Sequence, residues 1–148
     1  MESREHCVAV WDRMKRMRHI QMWKLCKGMT KAETELLHVM CRLSKKNPDI
    51  PVSQLPQMCC MQTSAISRLM KKMEADGLIV RKIDPNCRRN TLVSVTEAGA
   101  EQCRRNWEEV QDFWERVLAR TPEEHIDQML CLLDEIMDNM ETVIDELS

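Results

Sequence analysis

The sequence predicts a mainly α-helical fold with one small β-hairpin set between helices. Three observations carry that expectation. Only three glycines occur in 148 residues, too few for the tight turns of a sandwich, a barrel or a glycine-rich nucleotide fold. Apolar residues recur at helical spacing over 5–26, 31–46, 63–76, 97–119 and 122–147. The period changes only in two runs rich in β-branched residues, 78–83 and 91–95.

Each element has its own local cause. In 5–26, Cys7, Trp11, Met14, Gln21, Met22 and Leu25 share one side, and Gly28 stops the helix. Thr30 and Glu33 stand at capping-box spacing, each side chain able to take an orphan backbone N–H of the next helix. Its stripe is Leu36, Leu37, Val39, Met40 and Leu43, and Asn47-Pro48 ends it. Residues 52–60 read as a short helix opened by Ser53, with Pro56 in the first turn, where a missing N–H is tolerated. A turn near Cys60-Met61 leads to a helix over 63–76, with Ile66, Leu69, Met70 and Met73 inward and Gly77 as its C-cap. Two short helices about a tight turn match helix-turn-helix spacing.

The strands then flank a polar loop, Asp84 to Asn90, making a hairpin with a basic tip. Thr96 caps the helix over 97–119, whose stripe is Ala100, Cys103, Trp107, Val110, Trp114 and Val117. Thr121-Pro122-Glu123-Glu124 supplies a cap, an N1 proline and an acidic first turn for the last helix. That helix carries a wide stripe from Ile126 to Leu147, including Met129, Leu130, Leu133, Ile136, Met137, Met140, Val143 and Ile144. One small domain cannot easily cover it together with the first helix, so a twofold mate is the expected cover.

Composition narrows the function. Hydrophobic residues at 43% and charged residues at 31% describe an ordinary globular chain. No apolar run approaches the roughly 20 residues of a membrane span, and the charged N-terminal stretch does not read as a secretory signal. Net charge is −2, yet it is segregated. Residues 62–90 hold seven Lys/Arg against three Asp/Glu, whereas 121–148 hold none against nine. A chain can present a basic face in this way despite a near-neutral total. No nucleophile elbow, phosphate-binding glycine loop or paired-acid pattern stands out, so no enzyme and no cofactor are expected.

The helix at 63–76 carries the functional signal. At about 100° per residue, Ser64, Ser67, Arg68 and Lys71 centre the face opposite Ile66, Leu69 and Met73, with Thr63 and Lys72 at its borders. Hydroxyls and cations donate to phosphate, and arginine can fork onto guanine. Arg88 and Arg89 sit at the hairpin tip with Asp84 as the one nearby acid, suited to a narrow minor groove. A solvated surface helix, or a winged-helix module for protein partners, is the competing reading.

The run Thr63-Ser64-Ala65-Ile66-Ser67-Arg68-Leu69, the exit Gly77-Leu78-Ile79, then Arg81, Asp84-Pro85, Arg89 and Val95-Thr96-Glu97-Ala98-Gly99 resemble the multiple-antibiotic-resistance regulator (MarR) family. The motifs cover about 55–99, and the order of helices covers the whole chain. The resemblance implies a winged helix-turn-helix with N- and C-terminal dimerisation helices: a lobe over 30–99, and dimerisation helices in 1–29 and 100–148 of one domain. It implies a cytoplasmic homodimer that binds a pseudo-palindromic operator in double-stranded DNA, mostly as a repressor. Such proteins are released by a small-molecule inducer or by thiol oxidation, with no membrane partner. Ser64, Ser67 and Arg68 would enter the major groove, and Arg89 would be the wing arginine. Thr63, Lys71, Lys72, Arg88 and Asn90 join them by face or charge. The chain departs from the pattern at Cys87, where an acidic residue is usual, at Cys60, where a small residue is usual, and at Gln62, where a hydroxyl cap is usual.

The eight cysteines include no C-x-x-C, which suits free thiols in a reducing cytoplasm. Cys7, Cys26, Cys41, Cys59 and Cys103 fall on or beside inward stripes and read as small core residues. Cys87, beside Arg88 and Arg89, is the redox candidate, because neighbouring cations favour thiolate. His38 and Cys41 stand i,i+3, but His38 lies on a polar face and no metal site is expected. A thiol- or metal-responsive member of the same fold is the alternative to a ligand-released one.

Overall fold

The computed structural model of the chain describes residues 2–147. They divide after Val110 into two compact units. The first begins with α1 (Glu2–His19), a 3-10 turn at Met22–Leu25 and α2 (Lys31–Ser44). Next come β1 (Ile50–Pro51), a second 3-10 turn at Val52–Gln54, α3 (Leu55–Met58) and α4 (Thr63–Ala75). Strands β2 (Ile79–Ile83) and β3 (Thr91–Val95) precede α5 (Glu97–Leu118), which runs from the first unit into the second. The second unit ends with α6 (Glu123–Leu147). The fold is mainly helical with a small antiparallel sheet, as the periodicities predict.

The sheet order is β1-β3-β2. The hairpin pairs Ile79 with Val95, Arg81 with Val93 and Ile83 with Thr91. β1 adds Ile50 against Val93 on the other edge. The core of the first unit joins Leu36, Leu37 and Met40 of α2 to Ile50, Leu55, Ile66, Met70, Met73, Ile79 and Val93, all fully buried. Burying each such side chain contributes roughly 1.5–3 kcal/mol, so this cluster fixes α4 and the hairpin on α2.

Local punctuation follows the sequence closely. The Thr30/Glu33 capping box forms in both directions. Gly77 takes φ +73, its N–H donating to the Glu74 carbonyl while Leu78 N–H donates to that of Met73. This paired closure requires the left-handed backbone that glycine adopts without strain. The Thr96 hydroxyl accepts from Gly99 N–H at 3.0 Å and donates to the Gly77 carbonyl at 2.7 Å. A Cβ on Gly99 would lie 2.1 Å from the Leu78 carbonyl oxygen, so only glycine permits this approach.

Several elements differ from expectation. α1 ends at His19, and Cys26 belongs to a separate turn. Its apolar side has no cover: Val8 and Trp11 remain 63% and 61% exposed. Ser53 caps nothing; a 3-10 turn leads into a four-residue α3 with Pro56 in its first turn. β1 is unforeseen because two residues, one of them proline, carry no period. Along α5 the buried residues are Gly99 and Asn106, whereas Trp107, at the centre of the expected stripe, is 53% exposed. By contrast, α6 has no buried residue among those described and exposes its apolar stripe, as expected of a stripe that one small domain cannot easily cover. No helix among the described residues is long and apolar enough to cross a membrane.

Candidate nucleic-acid interface

α4 is held by one face and free on the other. Ile66, Met70 and Met73 are buried, with Leu69 half-buried beside them. Thr63, Ser64, Ser67, Arg68, Lys71 and Lys72 are exposed, so the predicted outward face exists. The turn before α4 places Cys60 at φ +49, a left-handed backbone that strains an L side chain. Gln62 makes no side-chain cap bond, which leaves the first N–H groups of α4 to other acceptors such as phosphate. Ser67 Oγ donates to the Thr63 carbonyl at 3.0 Å.

The cations of this region fall into two groups. Arg68, Lys71, Arg88 and Arg89 make no ion pair with any described residue. Lys72 is different: its Nζ donates to Glu33 Oε1. Arg81 lies along Glu74, with Nε donating to Oε2 at 2.9 Å and the backbone N–H to Oε1 at 3.2 Å. Lys82 Nζ donates to Asp49 Oδ2 at 2.7 Å, and Ser94 Oγ donates to the other oxygen at 2.8 Å. These contacts hold the carboxyls of Asp49 and Glu74 below the usual range. Three of the seven cations are thus held by carboxylates, and four are left without an ion pair among the described residues.

The wing loop is shaped from within. Asp84 N–H donates to the Asn90 carbonyl at 2.9 Å, Asn90 N–H to that of Cys87 at 2.8 Å, and Cys87 N–H to that of Asp84 at 3.2 Å. The Asp84 carboxylate accepts from Asn86 N–H at 2.8 Å. The one nearby acid is therefore committed to a turn, and Arg88 and Arg89 project exposed from the tip together with the Asn90 side chain and Cys87. A helix face of hydroxyls and two cations beside a loop with two more suits adjacent grooves of one duplex.

Comparisons with known proteins agree with this arrangement. Residues 34–91 match the model described as MarR family. The helix-turn-helix-type transcriptional regulator YdgJ of Bacillus subtilis (strain 168) is 24% identical over 121 residues, covering 82% of this chain and 71% of that protein. The homoprotocatechuate degradative operon repressor of Escherichia coli is 23% identical over 104 residues, 70% of each chain. Over residues 34–91 the chain resembles the MarR family, and its relatives support a MarR-type winged helix-turn-helix regulator. Its winged-helix fold is shared with MepR, a transcription regulator of the Staphylococcus aureus multidrug efflux pump MepA, at a TM-score of 0.72 and 15% identity. That match covers 88% of this chain and 98% of that one. The family match and the curated relatives together make the chain a DNA-binding transcriptional regulator.

A second feature of the first unit escaped the sequence. A cavity of about 270 Å³ lies beside α2 and α5, lined by Trp23, Cys26, His38, Cys103, Asn106 and Trp107 among others. Asn106, nearly buried, accepts from Gln102 at 2.8 Å and donates to the Met29 sulfur at 3.4 Å. The His38 and Trp107 rings lie 6.4 Å apart, so His38, exposed as its polar face predicts, also borders the cavity. Helical periodicity could not foresee a void between elements distant in sequence.

Of the five thiols read as inward, only Cys7 departs from its stripe. Cys7 is exposed, as are Cys60, Cys87 and Cys131, whereas Cys26 and Cys59 are buried. Cys41 and Cys103, both half-buried, are neighbours. The Cys41 thiol is pushed far up by Cys103 and by burial. The Cys103 thiol is held down at about 7 by Cys41, with Lys45 assisting against burial. No group of three or more metal-ligating side chains gathers among the described residues.

Proposed function

We propose that this regulator is a homodimeric repressor of a pseudo-palindromic operator, released by a small ligand. The carrying observation is the set of four cations, Arg68, Lys71, Arg88 and Arg89, left without acidic partners on α4 and the wing. Ser64, Ser67 and Arg68 read base edges in the major groove. Arg89 enters the minor groove, while Thr63, Lys71, Arg88 and Asn90 contact the flanking backbone. The exposed apolar sides of α1 and α6 support the dimer, because uncovered stripes of this length are costly in water and an isologous contact buries them together. Residues 30–99 then act as the reading lobe, with dimerisation helices before and after. The cavity with Trp23 and Trp107 suits an apolar inducer. The Escherichia coli relative is itself a repressor.

The test is a mobility shift on DNA from upstream of the protein's own gene, with light scattering in parallel. Binding that weakens steeply with salt, by a particle of twice 17.5 kDa, is the expected result. No binding at low salt refutes it. Cys87, exposed on the wing two residues before Arg89, favours a second reading as a thiol switch. Release by oxidant that Cys87→Ser abolishes would establish that reading over the ligand.

A further inference from the structure

Glu33 is the most deeply buried charged side chain among the described residues, 3% exposed. Its Oε2 accepts the Thr30 N–H at 2.7 Å, which completes the cap of α2. Its Oε1 accepts from Lys72 Nζ, which reaches across from the last turn of α4. Capping needs only an acceptor, and glutamine serves a capping box as well as glutamate. A negative charge in this place is therefore accounted for by Lys72. A buried carboxylate without a cation is strongly disfavoured, so the pair holds α4 against the start of α2.

That constraint is directional, and the remaining packing of α4 is not. Ile66, Met70 and Met73 bury an apolar face that tolerates small rotations, because hydrophobic contact has no preferred direction. Glu74 with Arg81 fixes the end of the helix against β2. Lys72 with Glu33 fixes it against α2. Together they set the rotation that aims Ser64, Ser67 and Arg68.

Resting on the DNA-binding reading above, we propose that Glu33 and Lys72 are positioning residues for operator recognition, with Lys72 spent on Glu33 and making no phosphate contact. This reassigns Lys72 from the phosphate contacts that its place on the helix face suggested.

The experiment measures affinity for the upstream duplex and for an unrelated duplex by fluorescence anisotropy across a salt series. Wild type is compared with Lys71→Met, Lys72→Met, Lys72→Arg, Glu33→Gln and the double variant Glu33→Gln/Lys72→Met. Lys71→Met should weaken both duplexes and flatten the slope of log affinity against log salt by about 1.8 for two chains. Lys72→Met should weaken the upstream duplex by about tenfold, weaken the unrelated duplex by less than about twofold, and leave the slope unchanged. Lys72→Arg should keep most of the affinity. Glu33→Gln decides the sign. It removes a negative charge, so a purely electrostatic role predicts tighter binding, whereas positioning predicts the same selective loss as Lys72→Met. The double variant should fall within about twofold of either single one, because the two residues act as a unit.

A slope that flattens in Lys72→Met, with equal loss on both duplexes, would overturn the proposal. So would a Glu33→Gln protein that binds as tightly as wild type. Glu33→Gln retains the cap, so it remains decisive if Lys72→Met does not fold. Failure of wild type to prefer the upstream duplex would instead refute the DNA-binding reading itself.

Discussion

The salt dependence of operator binding can be worked from the ion pairs of the reading head. Seven cations lie on α4, the strands and the wing, and Lys72, Arg81 and Lys82 are each paired with a carboxylate. Arg68, Lys71, Arg88 and Arg89 are not. Counting one neutralised phosphate charge for each unpaired cation, whether its head meets a base edge or the backbone, gives four per chain and eight for the proposed dimer. At a slope of about −0.9 per contact, log affinity should fall with log salt at about −7. Between about 50 and 200 mM salt this is a loss of about 10⁴ in affinity. Were all seven cations engaged, the slope would approach about −13. Arg89→Ala should move it to about −5 and weaken all sequences alike, whereas Arg68→Ala should also relax the sequence preference. Anisotropy titrations at four or five salt concentrations supply the slope. A value steeper than about −10 would mean that the structural pairs open on DNA, and one shallower than about −4 would mean that the wing stays out of the groove. Either result refutes the division between building and reading cations.

Four other outcomes are expected. Gly99→Ala drives a Cβ to 2.1 Å from the Leu78 carbonyl and 2.9 Å from Val95 Cγ1, so thermal unfolding should show a loss of about 1–3 kcal/mol; an unchanged midpoint would show that the helix start yields. Cys60→Gly should raise stability by about 0.5–1 kcal/mol, the left-handed strain relieved less the added freedom of the unfolded chain, and Cys60→Ala should not. Burial pulls the Glu33 carboxyl up, but Lys72 and Thr30 more than offset it; with Asp49, Glu74 and Glu101 also lowered, the stability they contribute is full above about pH 4 and lost as pH falls through their folded values. Acid titrations of Glu33→Gln should therefore show a weaker pH dependence below about pH 4 than wild type, and identical curves would exclude Glu33. Alkylation of Cys103 should reach half its maximal rate near pH 7, the value its contact with Cys41 sets, and Cys41→Ser should move that midpoint upward; an unmoved midpoint would remove Cys41 as the cause.

Features that were legible in the sequence are those whose cause lies within a turn or two. The capping box at Thr30, the glycine closure after α4 and the Thr96 cap each need only residues three to five positions apart. The outward face of α4 was legible for the same reason: α4 is regular, and Ile66, Met70 and Met73 declare by spacing which side is buried. The hairpin followed from its β-branched runs. By contrast, α1 and α6 show helical stripes that nothing in the described structure buries. A period marks a face that needs cover, and it does not say what provides it. The cavity beside Trp23 and Trp107 and the facing of Cys41 on Cys103 depend on how α2, α5 and the turn before α2 meet, which no local pattern encodes.

Lys72 and Glu33 show how a local explanation can hide a distant one. Glu33 is fully accounted for by its place in a capping box, and Lys72 by its place on a basic helix face, so neither leaves a residue of unexplained chemistry for sequence reasoning to pursue. Their contact spans 39 positions. Only burial separates the readings: a cap at a solvated helix start could be uncharged or exposed, whereas this carboxylate is both ionised and sealed. The same turns of α2 present Lys31, Thr34 and Glu35 to the cavity, on either side of the residue that grips α4. A change in how that turn packs would therefore reach the recognition helix through one ion pair, without any rearrangement of the apolar core beneath it.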